Sequence, residues 1–238
     1  MNPPNIGIND FNELRGKFRE EEIRAPFFDM SAKLLKDGYT SEAYIFILST
    51  WNFAYFRYVV NRFDLEIFEK GIKDFENTIS GLLNLKFSQT NFDSISEKDR
   101  GAIIDAFEIL SHCEIVGEYG SKSLIGITGA SKIMHLKHPE LFIIWDGYIR
   151  GNKTKKLYQF VDITLKNAGW EYKKYKETGE GYFNFLKDMK DYFSGVIKDY
   201  ERQNSTKPVT KAIDEFNYMG ITKPIMDYEK NLKEQRKL

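Results

Sequence analysis

The chain has 238 residues, of which 35 are basic and 35 acidic, so its formal net charge at neutral pH is zero. A chain of this length suits one large domain or two joined lobes with a substantial core. The neutral balance gives no sign of a nucleic-acid or membrane partner, so any such partner must be met by a local patch of charge.

Compartment and targeting follow from a few sequence features. The single cysteine, Cys113, excludes an internal disulfide framework and fits a reducing interior. The opening residues MNPPNIGINDFNEL lack the basic-then-apolar layout of a signal peptide. No run approaches the roughly 18 apolar residues that a membrane span needs. We therefore expect a cytoplasmic protein that does not enter a membrane.

Apolar residues recur at three- and four-residue spacing along most of the chain, which is the helical period. Capping residues and helix breakers place the predicted helices, in chain order, at 41–63 with Ser41 as N-cap, 65–85, 96–120 with Ser96 as N-cap and an end near Gly117 and Gly120, 155–169, 180–203, and a last one after Pro208. The charged tail YEKNLKEQRKL is expected to fray. No stretch alternates with period two, so strands are not expected beyond a short extended LFIIW at 141–145. The predicted fold class is all-α.

The stretch from Ser123 to Arg150, SLIGITGASKIMHLKHPELFIIWDGYIR, differs from its surroundings. Gly126 and Gly129 could form a glycine turn that lets a phosphate approach a helix start, or they could mark close helix packing. Proline at 139 ends the helix, LFIIW crosses a buried zone, and Asp146 is predicted to open the next helix. Asp146 is either a plain helix cap or a carboxylate held in dry surroundings for chemistry.

This layout of glycine hairpin, helix, proline, apolar run and aspartate resembles the helix-hairpin-helix DNA glycosylases. IIWDGYIR, Ile143 to Arg150, is similar to the end of their signature, so the resemblance implies that Asp146 is the catalytic carboxylate. Upstream, FILSTWNFAYF is similar to the family's early core helix, which implies that Ser49, Trp51 and Asn52 lie near the DNA.

The resemblance leaves the lysine nucleophile of the bifunctional members open. The position that corresponds to it, 18 residues before Asp146, is Thr128, and the first hairpin glycine is replaced by Leu124. Two other candidates are Lys132, one helical turn beyond Thr128, and Lys122, in SKSLI, which resembles the arrangement in archaeal 8-oxoguanine glycosylases. A nucleophilic lysine must be neutral, and a helix start disfavours the ammonium, which favours Lys122 over Lys132.

The family implies a two-lobed helical protein. Residues 62–146 would form the helix-hairpin-helix lobe, and residues 1–61 with 147–238, including a charged tail at 226–238, would form the other. The implied activity is hydrolysis of the N-glycosidic bond of a damaged or mispaired base, with lyase activity if a lysine is in place. A catalytically inactive DNA-binding or protein-interaction module of the same fold is the alternative. A single cysteine cannot supply the four thiolates of an iron–sulfur cluster, so no cofactor is expected.

Contacts to double-stranded DNA would come from the glycine turn and from one basic stretch. Between Gly147 and Lys176 there are eight Lys or Arg residues against two acids. The residues assigned to DNA binding are Gly126, Thr128, Gly129, Ser49, Trp51, Asn52, Arg150, Lys153 and Lys155. On its own, a stretch of this kind is more often a solvated face. The sequence predicts neither the base removed nor the oligomeric state.

Two histidines and the cysteine have plainer explanations. His135 and His138 are three residues apart, but no third ligand has matching spacing, so no metal site is predicted and His135 is interpreted as an interior residue. Cys113, among apolar residues of a predicted helix, is interpreted as a small, inert core group.

Overall fold

A computed structural model describes residues 6–51, 56–116, 123–203 and 206–236. The helices are α1 (Ile8–Gly16), α2 (Phe18–Glu21), α3 (Ala25–Lys36), α4 (Thr40–Trp51), α5 (Leu65–Ile79), α6 (Glu97–Ser111), α7 (Gly126–Lys137), α8 (Ile163–Asn167), α9 (Gly179–Tyr192), α10 (Ser194–Arg202), α11 (Val209–Asn217) and α12 (Lys223–Gln235). A π-helical turn, Tyr218–Thr222, joins α11 to α12. Short 3₁₀ segments lie at Val60–Arg62, Ser80–Leu82 and Lys155–Phe160.

The all-α prediction is confirmed for the described residues, which form no strand. Two isolated strand-type pairs, Phe63 with Val116 and Glu114 with Leu124, are the closest approach to a sheet in that part of the chain. No helix there is both long and apolar enough to cross a membrane. The two-lobe division stays a prediction.

Helix α7 occupies the centre of the packing. It contacts α3, α4 and α6, and its residues from Gly129 to Leu136 are all buried. Its apolar neighbours include Leu48 on α4 and Phe107 on α6, both in the same continuous core. A helix buried on every side holds its side chains rigidly, so polar groups on α7 have fixed surroundings.

The LFIIW stretch is extended and buried, as expected, and its backbone groups are satisfied by side chains instead of a sheet. The Trp145 N–H donates to Ser131 Oγ at 2.9 Å, and the Ile143 carbonyl accepts from the Tyr182 hydroxyl at 2.8 Å. The Phe142 carbonyl lies 2.6 Å from His135 Nδ1. Because buried backbone groups must be paired, these three side chains fix where the stretch ends and therefore where Asp146 lies.

Several helix boundaries differ from the prediction. Ser41 is not an N-cap, since α4 already begins at Thr40 and the Ser41 hydroxyl donates to Glu69. Ser96 does cap α6, but α6 ends at Ser111 because the chain then turns into the paired segment Glu114–Val116. Gly117 and Gly120, predicted to close this helix, lie outside the described residues, and Cys113, buried as expected, follows the helix.

The C-terminal half also departs from its predicted helices. The segment 155–169 is broken in two, because Asp162 caps α8 by accepting from the Thr164 N–H. The predicted fraying of the tail is wrong, since α12 continues to Gln235. Its Tyr228 stacks on Phe160 and its Glu229 accepts from the Tyr148 hydroxyl, so tertiary contacts hold this charged helix.

Candidate active site

A cavity of about 210 Å³ lies where the end of α4, the first turns of α7, the end of LFIIW and the π-helical turn meet. Four residues predicted for function line it, namely Trp51, Thr128, Lys132 and Asp146. Cavities for drug-sized ligands measure about 300–1,000 Å³, so this one suits a single ring or sugar.

Lys132 is buried at the cavity wall with 6% of its surface exposed. Its Nζ donates to the Trp51 carbonyl at 2.7 Å and lies 5.8 Å from the centre of the Trp51 ring. Burial lowers the pKa of the Lys132 amine to about 8, while the Asp146 and Asp214 carboxylates favour its protonation. Lysine at a position like this is a much stronger nucleophile near neutral pH than an exposed lysine.

Asp146 has one oxygen committed to the backbone and one to a hydroxyl. Oδ1 accepts from the Tyr148 N–H at 2.7 Å and the Ile149 N–H at 2.9 Å. Oδ2 accepts from Thr222 Oγ1 at 2.6 Å. Asp146 therefore caps the turn that follows it. The prediction that it opens a helix is wrong, because the chain forms a single turn that ends at Gly151, where φ is +75°. The Asp146 carboxylate thus caps a turn and also lines the cavity.

The Trp51 ring is surrounded by cations. Arg24 lies 5.2 Å and Lys211 5.7 Å from its centre, in addition to Lys132. The indole N–H donates to the Arg24 carbonyl at 3.2 Å, which fixes the ring. A ring face bordered by cations favours electron-rich or negatively charged groups nearby.

Two further ion pairs complete the cavity. Arg24 binds Glu22 with Nη2 2.6 Å from Oε2, and the Tyr218 hydroxyl also donates to Glu22. Burial alone would raise the pKa of Glu22, but these hydrogen bonds from Arg24 and Tyr218 hold it at about 2. Asp214 is paired with Lys211 at 2.7 Å, and both side chains are buried. Arg24 and Lys211 are thus each paired with a carboxylate. Lys132 differs from them because its hydrogen-bond partner is the Trp51 carbonyl.

The two glycines of α7 have different roles. Gly126 adopts φ +73° at the start of the helix, and a Cβ there would meet nothing within 4 Å. A Cβ on Gly129 would lie 2.7 Å from Ile125 Cγ2 and 3.0 Å from Leu48 Cδ2. The glycine-turn interpretation therefore fits Gly126, and the close-packing interpretation fits Gly129.

The predicted basic DNA contacts are largely engaged within the protein. Arg150 is 11% exposed in its side chain and donates to Glu177 at 2.7 Å and to the Thr128 hydroxyl at 2.8 Å. Lys153 lies 3.4 Å from Glu229. Lys155 is exposed at the start of the 3₁₀ segment. The acids that pair with Arg150 and Lys153 come from elsewhere in the chain, so the sequence count overstated the local positive charge.

The remaining predicted residues lie apart from the cavity or cannot be placed. Ser49 is half-buried, and its hydroxyl donates to the Phe46 carbonyl at 3.0 Å within its own helix. Asn52 and Lys122 lie outside the described residues. Of the two candidate lysines, Lys132 is thus the one whose surroundings are known.

The histidines bind backbone groups. His135 is fully buried, and burial lowers its pKa to about 4. His138 Nε2 lies 3.1 Å from the Leu82 carbonyl. Within the described residues, no group of three or more metal-ligating side chains comes together.

Sequence reasoning missed Arg24, Asp214 and Thr222, all of which line the cavity. Each lies far from the central motif in the chain, so no local spacing connects them to it. The sequence VTKAIDEFN of α11 contains charged residues, but only the structure shows that all residues of this helix are buried.

The chain was compared with protein-family models, curated proteins and solved structures. No protein-family model matches the chain, and neither the curated proteins nor the solved structures include a significant match.

Proposed function

We propose that the protein is a DNA N-glycosylase of the helix-hairpin-helix type, with Lys132 as nucleophile and Asp146 as catalytic carboxylate. The observation that carries the proposal is the joint position of these two side chains at one small cavity. The resemblance of IIWDGYIR and FILSTWNFAYF to that family supplies the substrate class.

The state of the Lys132 amine supports the nucleophile role. At a pKa of about 8, about one amine in ten is neutral at pH 7, against about three in ten thousand for an ordinary lysine. The amine donates to the Trp51 carbonyl, which leaves its lone pair available when it is neutral. The buried wall around it excludes bulk water from the reaction.

Asp146 would stabilise the positive charge that develops on the sugar. Its two backbone donors and the Thr222 hydroxyl orient the carboxylate at the cavity. A carboxylate in weakly polarisable surroundings attracts an oxocarbenium-like sugar more strongly than it does in water.

The chemical step uses these groups and one proton from solvent. The neutral Lys132 amine attacks C1′, the N-glycosidic bond breaks, and its electron pair leaves with the base. The base gains the proton that the attacking nitrogen loses. As the ring opens, the C1′–O4′ bond breaks, its electron pair stays on O4′, and the nitrogen lone pair forms the second C1′–Nζ bond. The remaining amine proton passes to O4′, and one proton from solvent converts the resulting imine to the iminium. Hydride reduces this iminium to a stable amine, which gives a covalent protein–DNA adduct.

The test combines base release with trapping. Duplexes carrying 8-oxoguanine, uracil, alkylated purines, mismatches or an abasic site are incubated with the protein, with and without borohydride. We expect release from at least one duplex and a trapped adduct on the abasic one. Lys132→Gln should reduce trapping at least 100-fold, because its amide still donates to the Trp51 carbonyl but cannot attack. The matched control is Lys156→Gln at an exposed position in the 3₁₀ segment, which should trap normally.

Other outcomes separate the alternatives. Release that is lost in Asp146→Asn but survives Lys132→Gln, with no adduct, would assign a water-dependent hydrolase. An adduct lost only in Lys122→Ala would move the nucleophile to Lys122. DNA affinity that survives Asp146→Asn, with no release by either folded form on any duplex, would support an inactive binding module. Absence of salt-dependent DNA binding would leave a protein-interaction module.

A further inference from the structure

A second, larger cavity lies on the other side of the turn that follows Asp146. It measures about 800 Å³ and is open on one side. We call it the aromatic cleft; residues that define it are Ile149, Trp170, Tyr175, Asp191, Tyr192 and Ile221. Its volume is within the range of about 300–1,000 Å³ that small-molecule sites occupy.

The cleft already holds one ammonium group of the protein itself. The Lys173 ammonium lies 5.0 Å from the centre of the Tyr175 ring and pairs with Asp188. The Tyr175 hydroxyl donates to the same carboxylate at 2.7 Å. Within this cleft, an aromatic ring beside a carboxylate, Tyr175 beside Asp188, thus already binds one cation.

A second set of aromatic rings and acids lines the rest of the cleft. Trp170 and Tyr192 line the cleft together with the exposed acids Glu171 and Asp191. Neither acid has an ion-pair partner within 4.0 Å among the described residues. The Tyr192 hydroxyl is buried and has no hydrogen-bond partner in that same part of the chain. Because that hydroxyl is itself inaccessible, a ligand in the cleft would contact other atoms of Tyr192.

We propose that the aromatic cleft binds an organic cation, of the class of methylated ammonium compounds. Its three acids face one basic residue, Lys173, so its charge disfavours phosphates and other anions. Aromatic faces attract ammonium groups with spread charge, and methylation lowers the cost of removing such groups from water. This site is independent of the proposed glycosylase chemistry.

The cleft and the candidate active site share two structural segments. Ile149 lines the cleft with its side chain, while its N–H donates to Asp146. Ile221 lines the cleft, while the adjacent Thr222 donates to the other oxygen of Asp146. A ligand in the cleft would therefore contact both segments that orient the carboxylate.

The test uses choline and its neutral isostere, 3,3-dimethylbutan-1-ol, in ligand-observed NMR titrations of the full chain. We expect choline to bind at least fivefold more tightly than the isostere, since the two differ mainly in charge. Trp170→Leu should weaken choline about tenfold. Asp191→Asn, at an exposed position that should not disturb folding, should weaken it about fivefold, whereas the matched exposed change Asp105→Asn on α6 should not.

The outcomes are distinct. Equal binding of choline and its isostere, or choline binding that Asp191→Asn leaves unchanged, would overturn the proposal. Weak ligands have dissociation constants of about 1 mM. No detectable binding of choline at concentrations up to about 50 mM would therefore also overturn the proposal. Tighter binding of a trimethyllysine peptide than of choline would assign the cation to a modified protein side chain, and the reverse would assign it to a small molecule.

Discussion

Lys132 and Lys173 show how one residue type acquires two chemistries in one protein. Both ammonium groups lie near an aromatic ring, Trp51 for Lys132 and Tyr175 for Lys173. Lys173 is 56% exposed in its side chain and pairs with Asp188. Lys132 is buried, and its partner is a carbonyl. Burial disfavours the charged form of an amine, which raises the neutral fraction of Lys132.

The same contrast separates the two cavities. The smaller one holds its charges through backbone groups and buried ion pairs, so it suits a reaction at a fixed position. The aromatic cleft has exposed acids at its surface, so it suits an exchangeable ligand. The turn after Asp146 and the π-helical turn line both cavities, so a change in either turn is measured for its effect on both.

The largest effect predicted beyond the loss of trapping in Lys132→Gln is the pH dependence of the Lys132 reaction. Trapping on an abasic duplex should rise about 50-fold from pH 6 to pH 8 and then level off, because the neutral fraction of the amine follows a pKa of about 8. The measurement is the initial trapping rate with cyanoborohydride, which tolerates acid. A rate that keeps rising beyond pH 9.5 would contradict the lowered pKa of Lys132.

The same shift has a consequence for stability. The folded protein releases the Lys132 proton near pH 8, and the unfolded chain keeps it until about pH 10.5. The unfolded state therefore binds more protons in this window, and stability attributable to Lys132 rises with pH across it. Lys132→Gln should flatten that rise in denaturant titrations.

His135 should produce the next largest effect. Its pKa is about 4 in the folded protein, against an ordinary value of 6.5. As pH falls from 6.5 to 4, the unfolded chain takes up a proton that the folded state excludes, so stability falls by on the order of 3 kcal/mol. Urea unfolding of His135→Gln should show a smaller loss over this range. His112→Gln, at a side chain 68% exposed, is the matched control; an equal change in both variants would contradict the assignment.

The fold was predictable to the extent that its determinants are local. The helical period of LEIFEKGIKDFENTISGLLNL and the N-cap Ser96 act over a few residues. Ser96 caps α6 as predicted, and the helix predicted at 65–85 begins at Leu65 but ends at Ile79, before the 3₁₀ segment Ser80–Leu82. The end of α6 and the order of the tail depend on distant partners. Glu229 accepts a hydrogen bond from Tyr148, and Tyr228 stacks on Phe160. Neither contact can be predicted from the residue pattern of the tail alone.

The candidate site follows the same rule. Asp146 and Lys132 lie within one motif, so the sequence could nominate both. The sequence favoured Lys122 over Lys132 because Lys122 is close to the predicted helix start. The surroundings of Lys132 include Trp51 and Arg24, which are 81 and 108 positions away in the chain. No local spacing contains those contacts, so the lowered pKa of Lys132 could not be predicted from the motif.

The packing of α7 can be tested at its two glycines. Gly129→Ala should destabilise the protein by about 1–3 kcal/mol, because the new methyl group meets Ile125 and Leu48 closer than van der Waals contact allows. Gly126→Ala, in open space but at positive φ, should cost about 1 kcal/mol. Urea denaturation measures both. Choline affinity should be unchanged in each, and its loss would show that α7 also supports the aromatic cleft.

The last prediction concerns Thr222, which lines the smaller cavity next to Ile221 of the aromatic cleft. Thr222→Val keeps the shape but removes the hydroxyl that donates to Asp146 at 2.6 Å. The carboxylate then loses one of its three donors, and we expect single-turnover base release to fall about tenfold, equivalent to about 1.4 kcal/mol. The assay uses whichever duplex the wild type processes fastest.

Thr50→Val is the matched control, because the Thr50 hydroxyl donates only to carbonyls of its own helix. Base release should be unchanged in that variant, and choline affinity should be unchanged in both. If Thr222→Val weakened choline as strongly as it slowed base release, the π-helical turn would transmit changes between the cavities. The two regions would then be one coupled site, because Ile221 and Thr222 are adjacent and move together.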